Sequence, residues 1–191
     1  QLQGYQEFKM QLSLSISDDD DDDRIASMLS GEITQEDSIE DVAKKVLQIN
    51  QNALNETYDL LDYNALNLAV DYMISAKQIY FFGVGSSLMT AQDAVNKFTR
   101  ITPKVHSVPD AHMQAMAASI LAPDDLAFVI SYSGATKDTI QVVRQAKQAG
   151  AKVVSITRFV KSPLTACEYV VILCGTLVPV RFTAALIRRQ H

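Results

Sequence analysis

Cysteine is scarce in this 191-residue chain, with Cys167 and Cys174 the only two. Two thiols are too few for a disulfide framework, lack the companion ligands of a structural zinc site, and suit a reducing compartment. No apolar stretch approaches the roughly 20 residues that span a bilayer. The N-terminus, Gln1-Leu2-Gln3-Gly4-Tyr5, has neither the basic cluster nor the apolar core of a secretory signal. Basic residues form no stripe, so no segment carries an electrostatic footprint for nucleic acid. The chain therefore reads as soluble and cytoplasmic, with no membrane partner, metal or cofactor expected.

What is present is an ordinary globular balance, 48% hydrophobic and 20% charged. The length suits one domain with an appendage, or two small domains. A net charge of −5 comes from one place: Asp18 to Asp23 contribute −6, leaving about +1 for the other 185 residues. Six adjacent like charges repel and cannot bury, so they read as solvated linker. A calcium loop would alternate ligands with spacers and a turn glycine, which this run does not do.

Around that linker the chain has four parts. Residues 1–16 alternate loosely and could form a short helix through Glu7-Phe8-Lys9-Met10. Residues 17–37 are the acidic linker, residues 38–175 a folded domain, and residues 176–191 a tail. From Thr34 to Ala76 the rhythm is helical, with Ser38 a cap three residues before Asp41. No glycine or proline falls between Glu32 and Gln78. The apolar faces carrying Val46, Leu47, Leu54, Tyr58, Leu68 and Val70 are expected in the core.

At Gln78 the pattern changes to short apolar runs separated by helical segments. Strands are expected at 79–82, 104–108, 126–131, 152–156 and 169–173, with helices at 91–100, 111–121 and 137–149 and a short one after Pro163. Five strands alternating with helices imply an α/β fold: a doubly wound five-stranded parallel sheet flanked by helices, preceded by a helical N-terminal segment.

Ligands of such sheets bind beyond the carboxyl ends of the strands. Two strand ends carry glycine and small hydroxyl residues before a helix: Gly83-Val84-Gly85-Ser86-Ser87 and Ser131-Tyr132-Ser133-Gly134-Ala135-Thr136. Glycine lets the backbone approach an anion, and helix-terminal amides and hydroxyls bond to it. Either loop alone is weak, because serine and glycine are common at strand-to-helix turns. Leu88 stands where a dinucleotide fingerprint needs its third glycine, and neither loop ends in the Gly-Lys-Ser/Thr of a P-loop. Two loops from neighbouring strands could converge on one phosphate.

These two loops, with Asp110-Ala111-His112-Met113-Gln114, Ala146-Lys147-Gln148-Ala149-Gly150 and Ser162-Pro163-Leu164, resemble the SIS (sugar isomerase) domain of RpiR/MurR-type bacterial transcriptional regulators. The resemblance covers about residues 38–175, and Ser-x-Ser-Gly-x-Thr is its most specific part. It implies that Ser86, Ser87, Ser131, Ser133 and Thr136 hold the phosphate of a phosphosugar. Gly85 and Gly134 would permit close backbone approach, and His112 and Gln114 would face the sugar. Residues 4–12 are similar to the end of the helix-turn-helix domain that precedes SIS domains in that family. DNA would be bound through that domain, most of which is absent from this sequence. The resemblance also implies a homodimer or higher homo-oligomer, although residues 176–191 depart from the family pattern.

Sugar isomerisation needs a base beside the carbonyl. Beyond Glu56 the only glutamate is Glu168, away from both loops; His106 falls in a strand, and His191 ends the sequence. Asp110 and His112 remain, without a paired partner. Sensing without turnover is therefore expected ahead of the alternative, a phosphosugar isomerase. Residues 1–16 hold one base, Lys9, and the aspartate run repels a duplex over a Debye length of about 8 Å. Anisotropy titrations of this chain should thus show no sequence-specific DNA binding; binding that survives competitor DNA would refute this.

Overall fold

The computed structural model describes residues 33–34, 37–167 and 170–175. The readings for residues 1–16, the aspartate run and residues 176–191 lie outside the described residues. The chain divides into two compact units, one of residues 54–177 and one of residues 1–53 with 178–191.

Helix α1, Ile39–Asp59, runs through the boundary between them. It opens on a reciprocal cap: Ser38 Oγ accepts the Asp41 N–H at 3.1 Å, and the Ser38 N–H donates to Asp41 Oδ2 at 3.2 Å. Within the smaller unit, Lys45 is buried and pairs with Asp37 at 2.8 Å.

The larger unit is a five-stranded sheet, all parallel, in the order β2-β1-β3-β4-β5. Its strands are β1 Ile79–Phe82, β2 Val105–Ser107, β3 Leu126–Ile130, β4 Lys152–Thr157 and β5 Val170–Leu173. Each falls within one residue of its expected limits at both ends. The sheet is covered on both faces, which is why β1, β3 and β5 are apolar runs without alternation. In β3 all five residues are buried.

Helices α2 (Tyr63–Ser75) and α3 (Ser86–Phe98) cover one face. There Ala69, Tyr72, Ala91 and Phe98 pack with Ile79, Phe81, Leu126 and Phe128. Helices α4 (Ala111–Ser119) and α5 (Lys137–Gln148) cover the other, where Ala118, Val142, Val143 and Ala146 meet Phe82, Ala127 and Val129. Burying a Phe or Val side chain in such a layer stabilises by about 1.5–3 kcal/mol.

Two expectations need correcting. Helix α3 starts at Ser86 rather than Ala91, because serine is poor in a helix interior yet welcome in a first turn. The apolar residues of 38–76 are also not uniformly core. One stripe of α2 is buried, but Leu54, Tyr58, Leu68, Val70 and Ile74 are exposed.

Just after β5 comes Cys174, whose N–H donates to the Thr157 carbonyl at 3.0 Å. Burial pushes this thiol up, against the pull of Arg158 nearby. A raised thiol is mostly protonated at pH 8, and the thiol form does not attack alkylating agents. Iodoacetamide at pH 8 should therefore label Cys174 more slowly in the native chain than in urea, as read by peptide mass spectrometry. Equal rates would contradict this packing.

Candidate functional site

From β1 the chain steps outward to β2, then returns past β1 to β3 and continues through β4 to β5. The winding reverses between β1 and β3. At such a switch point the helices leave to opposite faces and a crevice opens above the strand ends. The loop after β1 carries Gly85, Ser86 and Ser87; the loop after β3 carries Ser131, Ser133, Gly134 and Thr136. Because β1 and β3 are hydrogen-bonded neighbours, from Ile79 opposite Leu126 to Phe82 opposite Val129, both loops rise from adjacent positions.

The first loop depends on two glycines for different reasons. A Cβ on Gly83 would lie 2.7 Å from the backbone carbonyl carbon of Ser87, so only glycine lets strand and helix approach this closely. Gly85 has φ +61°, disfavoured for other residues, and open space where a side chain would be. It leads directly into α3, whose first turn holds Ser86 and Ser87.

In the second loop Ser131 is buried at the end of β3 and its N–H continues the ladder to Ile156 at 3.0 Å. Ser133 is exposed, and its hydroxyl accepts the Ala135 N–H at 3.2 Å. Gly134 also has φ +61°, and a Cβ there would stand 2.4 Å from Ser162 Oγ. Thr136 then begins α5.

Helix capping separates the two loops from the rest of the fold. Asp62 caps α2 through Asn64 and Ala65, Asp110 caps α4 through Met113, and Ser38 caps α1. Helices α3 and α5, which start at the switch point, have no side-chain cap. Their first-turn amides keep the partial positive charge of a helix start with no capping side chain bonded to them, offset on α5 by Asp138 in its first turn. Two such ends with hydroxyls between them suit a small anion, a phosphate above all. The cations beside them are Lys137 and Arg158, at the start of α5 and the end of β4.

The strand-end residues of β2 have other roles than the sequence suggested for some of them. His112 is exposed on the first turn of α4. Gln114 is 2% exposed, and its amide is fully engaged with backbone. Its Oε1 accepts the Gly83 N–H at 3.3 Å, and its Nε2 donates to the carbonyls of Gly83 and Val108 at 2.8 Å each. It fastens the first loop to β2 instead of facing a sugar. Asp110 Oδ1 accepts the Met113 N–H at 2.9 Å, and His106 Nε2 lies 2.6 Å from Gln78 Oε1. Sequence reading missed the Gln114 bridge and the pairing of Tyr132 with Arg158; partners 26 to 31 positions apart leave no local signal. Among the described residues no three His, Cys, Asp or Glu cluster as for a metal ion, and no helix is long and apolar enough to cross a membrane.

Residues 72–173 match the family model of the SIS domain. An uncharacterised HTH-type transcriptional regulator of Caldanaerobacter subterraneus subsp. tengcongensis is 36% identical over 163 residues, which is 85% of this chain and 56% of the relative. The HTH-type transcriptional regulator HexR of Pseudomonas aeruginosa is 35% identical over 156 residues, 82% of this chain and 53% of its own. The chain thus spans a little over half the length of these relatives. Among solved structures, Vibrio vulnificus NanR complexed with ManNAc-6P superposes with a TM-score of 0.69 at 27% identity. That likeness covers 78% of this chain and 57% of the other.

Removing the Gln114 amide leaves the buried Gly83 N–H and carbonyl without these partners, at about 1–3 kcal/mol each, while the part-buried Val108 carbonyl can turn to water. Gln114→Leu should therefore lower stability by about 2–6 kcal/mol in urea titrations and speed amide exchange at Gly83. Unchanged exchange there would show that the bridge does not hold the loop.

Proposed function

This chain belongs to the SIS domain family, and we propose that it is the phosphosugar-sensing part of an HTH-type transcriptional regulator, binding a sugar phosphate without turning it over. The observation that carries the reading is the pair of uncapped helix starts, α3 and α5, meeting hydroxyl-rich loops at one switch point. The phosphate is held by the hydroxyls of Ser86, Ser87, Ser131, Ser133 and Thr136 with first-turn amides, and Gly85 and Gly134 allow its approach. His112 faces the sugar from the adjoining rim. The regulator names of the relatives and the sugar phosphate in the Vibrio neighbour support the same assignment.

Turnover is disfavoured by where the acids and bases lie. Asp110 is occupied as a helix cap, His106 is engaged by Gln78, and neither forms a pair with His112. DNA contact belongs to a helix-turn-helix segment of the longer protein. Ligand then alters DNA affinity by binding two arrangements of the assembly unequally. Self-association through the exposed apolar residues Leu54, Tyr58, Leu68, Val70 and Ile74 would supply that assembly.

Calorimetric titration with N-acetylmannosamine 6-phosphate and other hexose 6-phosphates should give saturable binding by at least one, with Kd on the order of 10⁻⁶–10⁻⁴ M. Ser133→Ala should weaken it about tenfold, the weight of one hydrogen bond to a charged group. Raising salt from about 50 to 500 mM should cost less than about tenfold, since most contacts are neutral donors. The same samples should sediment as dimers or larger and yield no isomerised product. Conversion above the Ser133→Ala level would select the isomerase; absence of all binding would remove the sensor.

A further inference from the structure

The second loop is held chiefly by the connector that follows β4. Tyr132 is gripped at both ends of the residue. Its carbonyl accepts from the Arg158 N–H at 3.1 Å and from Thr157 Oγ1 at 3.3 Å, and its phenol oxygen accepts from Arg158 Nη1 at 2.9 Å. The Arg158 guanidinium carbon lies 5.9 Å from the Tyr132 ring centre and 6.0 Å from that of Phe159. The two rings meet edge-on at 6.2 Å. Two residues along, Gly134 is gripped as well: its carbonyl accepts the Leu164 N–H at 3.0 Å, and Ser162 fills the space where a side chain would be.

Ser133 stands between these two grips, exposed at the rim. With both neighbours fixed, the direction of its Cα–Cβ bond is fixed too, and its hydroxyl is presented rather than left to search. Arginine suits this task because its planar fork can donate to a phenol while lying near two aromatic faces, which a lysine ammonium on a flexible stem does not reproduce.

We propose that Arg158 is a positioning residue of the phosphosugar site: by holding Tyr132 it aims Ser133, and so sets ligand affinity without bonding the ligand itself. The proposal rests on the phosphosugar reading above. Direct contact between Arg158 and the phosphate is the competing role, and the two differ in what Tyr132 does. If Arg158 acts through Tyr132, removing the phenol oxygen is as harmful as removing the guanidinium. If it contacts phosphate, freeing it from Tyr132 leaves binding intact or tighter.

The test uses the 191-residue chain with Arg158→Met, Arg158→Lys, Tyr132→Phe, the Arg158→Met/Tyr132→Phe pair, and Ser133→Ala as reference. Inorganic phosphate and N-acetylmannosamine 6-phosphate are the titrants, at two salt concentrations. Arg158→Met and Tyr132→Phe should each weaken binding about tenfold. The pair should be no worse than either alone, Arg158→Lys should not restore affinity, and the salt dependence should stay that of the wild type. Without ligand, hydrogen exchange should quicken in residues 131–136 of both single variants and stay unchanged in residues 83–90. Wild-type affinity in Tyr132→Phe, or a reduced salt dependence in Arg158→Met, would overturn the proposal in favour of direct contact. Should the wild type bind neither titrant, the phosphosugar reading falls; the exchange measurement then decides separately, and unchanged exchange in Arg158→Met would sink the positioning role.

Discussion

A parallel βαβ connection packs back onto its sheet almost only with right-handed crossover, and everything functional in this fold follows from that constraint. The chain leaves β1 in one direction and later passes it in the other. Handedness then places α3 on one face and α4 and α5 on the opposite face. Above β1 and β3 the departing helices diverge, and the loops they leave behind face a common space. The side chains there decide what the space is for; the space itself comes from chirality.

Electrostatic economy separates this rim from the remaining helix starts. A carboxylate at a helix start is the ordinary way to satisfy its amides, and Asp62 and Asp110 do so on α2 and α4. The first turn of α5 does hold one acid, Asp138, but a carboxylate at the cap position of α3 or α5 would compete most directly with any phosphate for the same amides. Gly85 and Thr136 occupy those positions instead, so the helices forgo about 1 kcal/mol each of capping stability and keep their ends open. That local loss is carried by the buried layers beneath, where Phe82, Val129 and Val143 are wholly enclosed.

Much of this was legible in the residues. The strands announce themselves because a sheet covered on both faces needs unbroken apolar runs, and Leu126–Ile130 is such a run. The two loops were legible because glycine and hydroxyl residues cluster at strand ends. What was not legible is long-range polar pairing. The family resemblance implied that Gln114 faces a sugar, yet its amide completes the hydrogen bonds of Gly83, 31 positions earlier. Nothing in the local sequence marks Arg158, whose phenol partner Tyr132 lies 26 positions earlier. The start of α3 was missed because Ser86 and Ser87 carry no apolar periodicity. The apolar residues of α1 and α2 misled in the other direction: periodicity tells which residues share a face, not whether that face meets this chain or another.

The β1–β3 ladder also has a meaning in time. It joins Ile79 to Leu126, 47 residues further along, whereas Ile79 meets Val105 in β2 and Leu126 meets Lys152 in β4 after only 26. Closing the longer loop costs roughly 0.5 kcal/mol more chain entropy. On the ribosome, the two loops cannot face a common space until β3 has emerged, and β1 has no native neighbour other than β2 until then. The candidate rim is therefore built across the widest sequence gap in the sheet, and a nascent chain brings its two loops together as a unit rather than by halves.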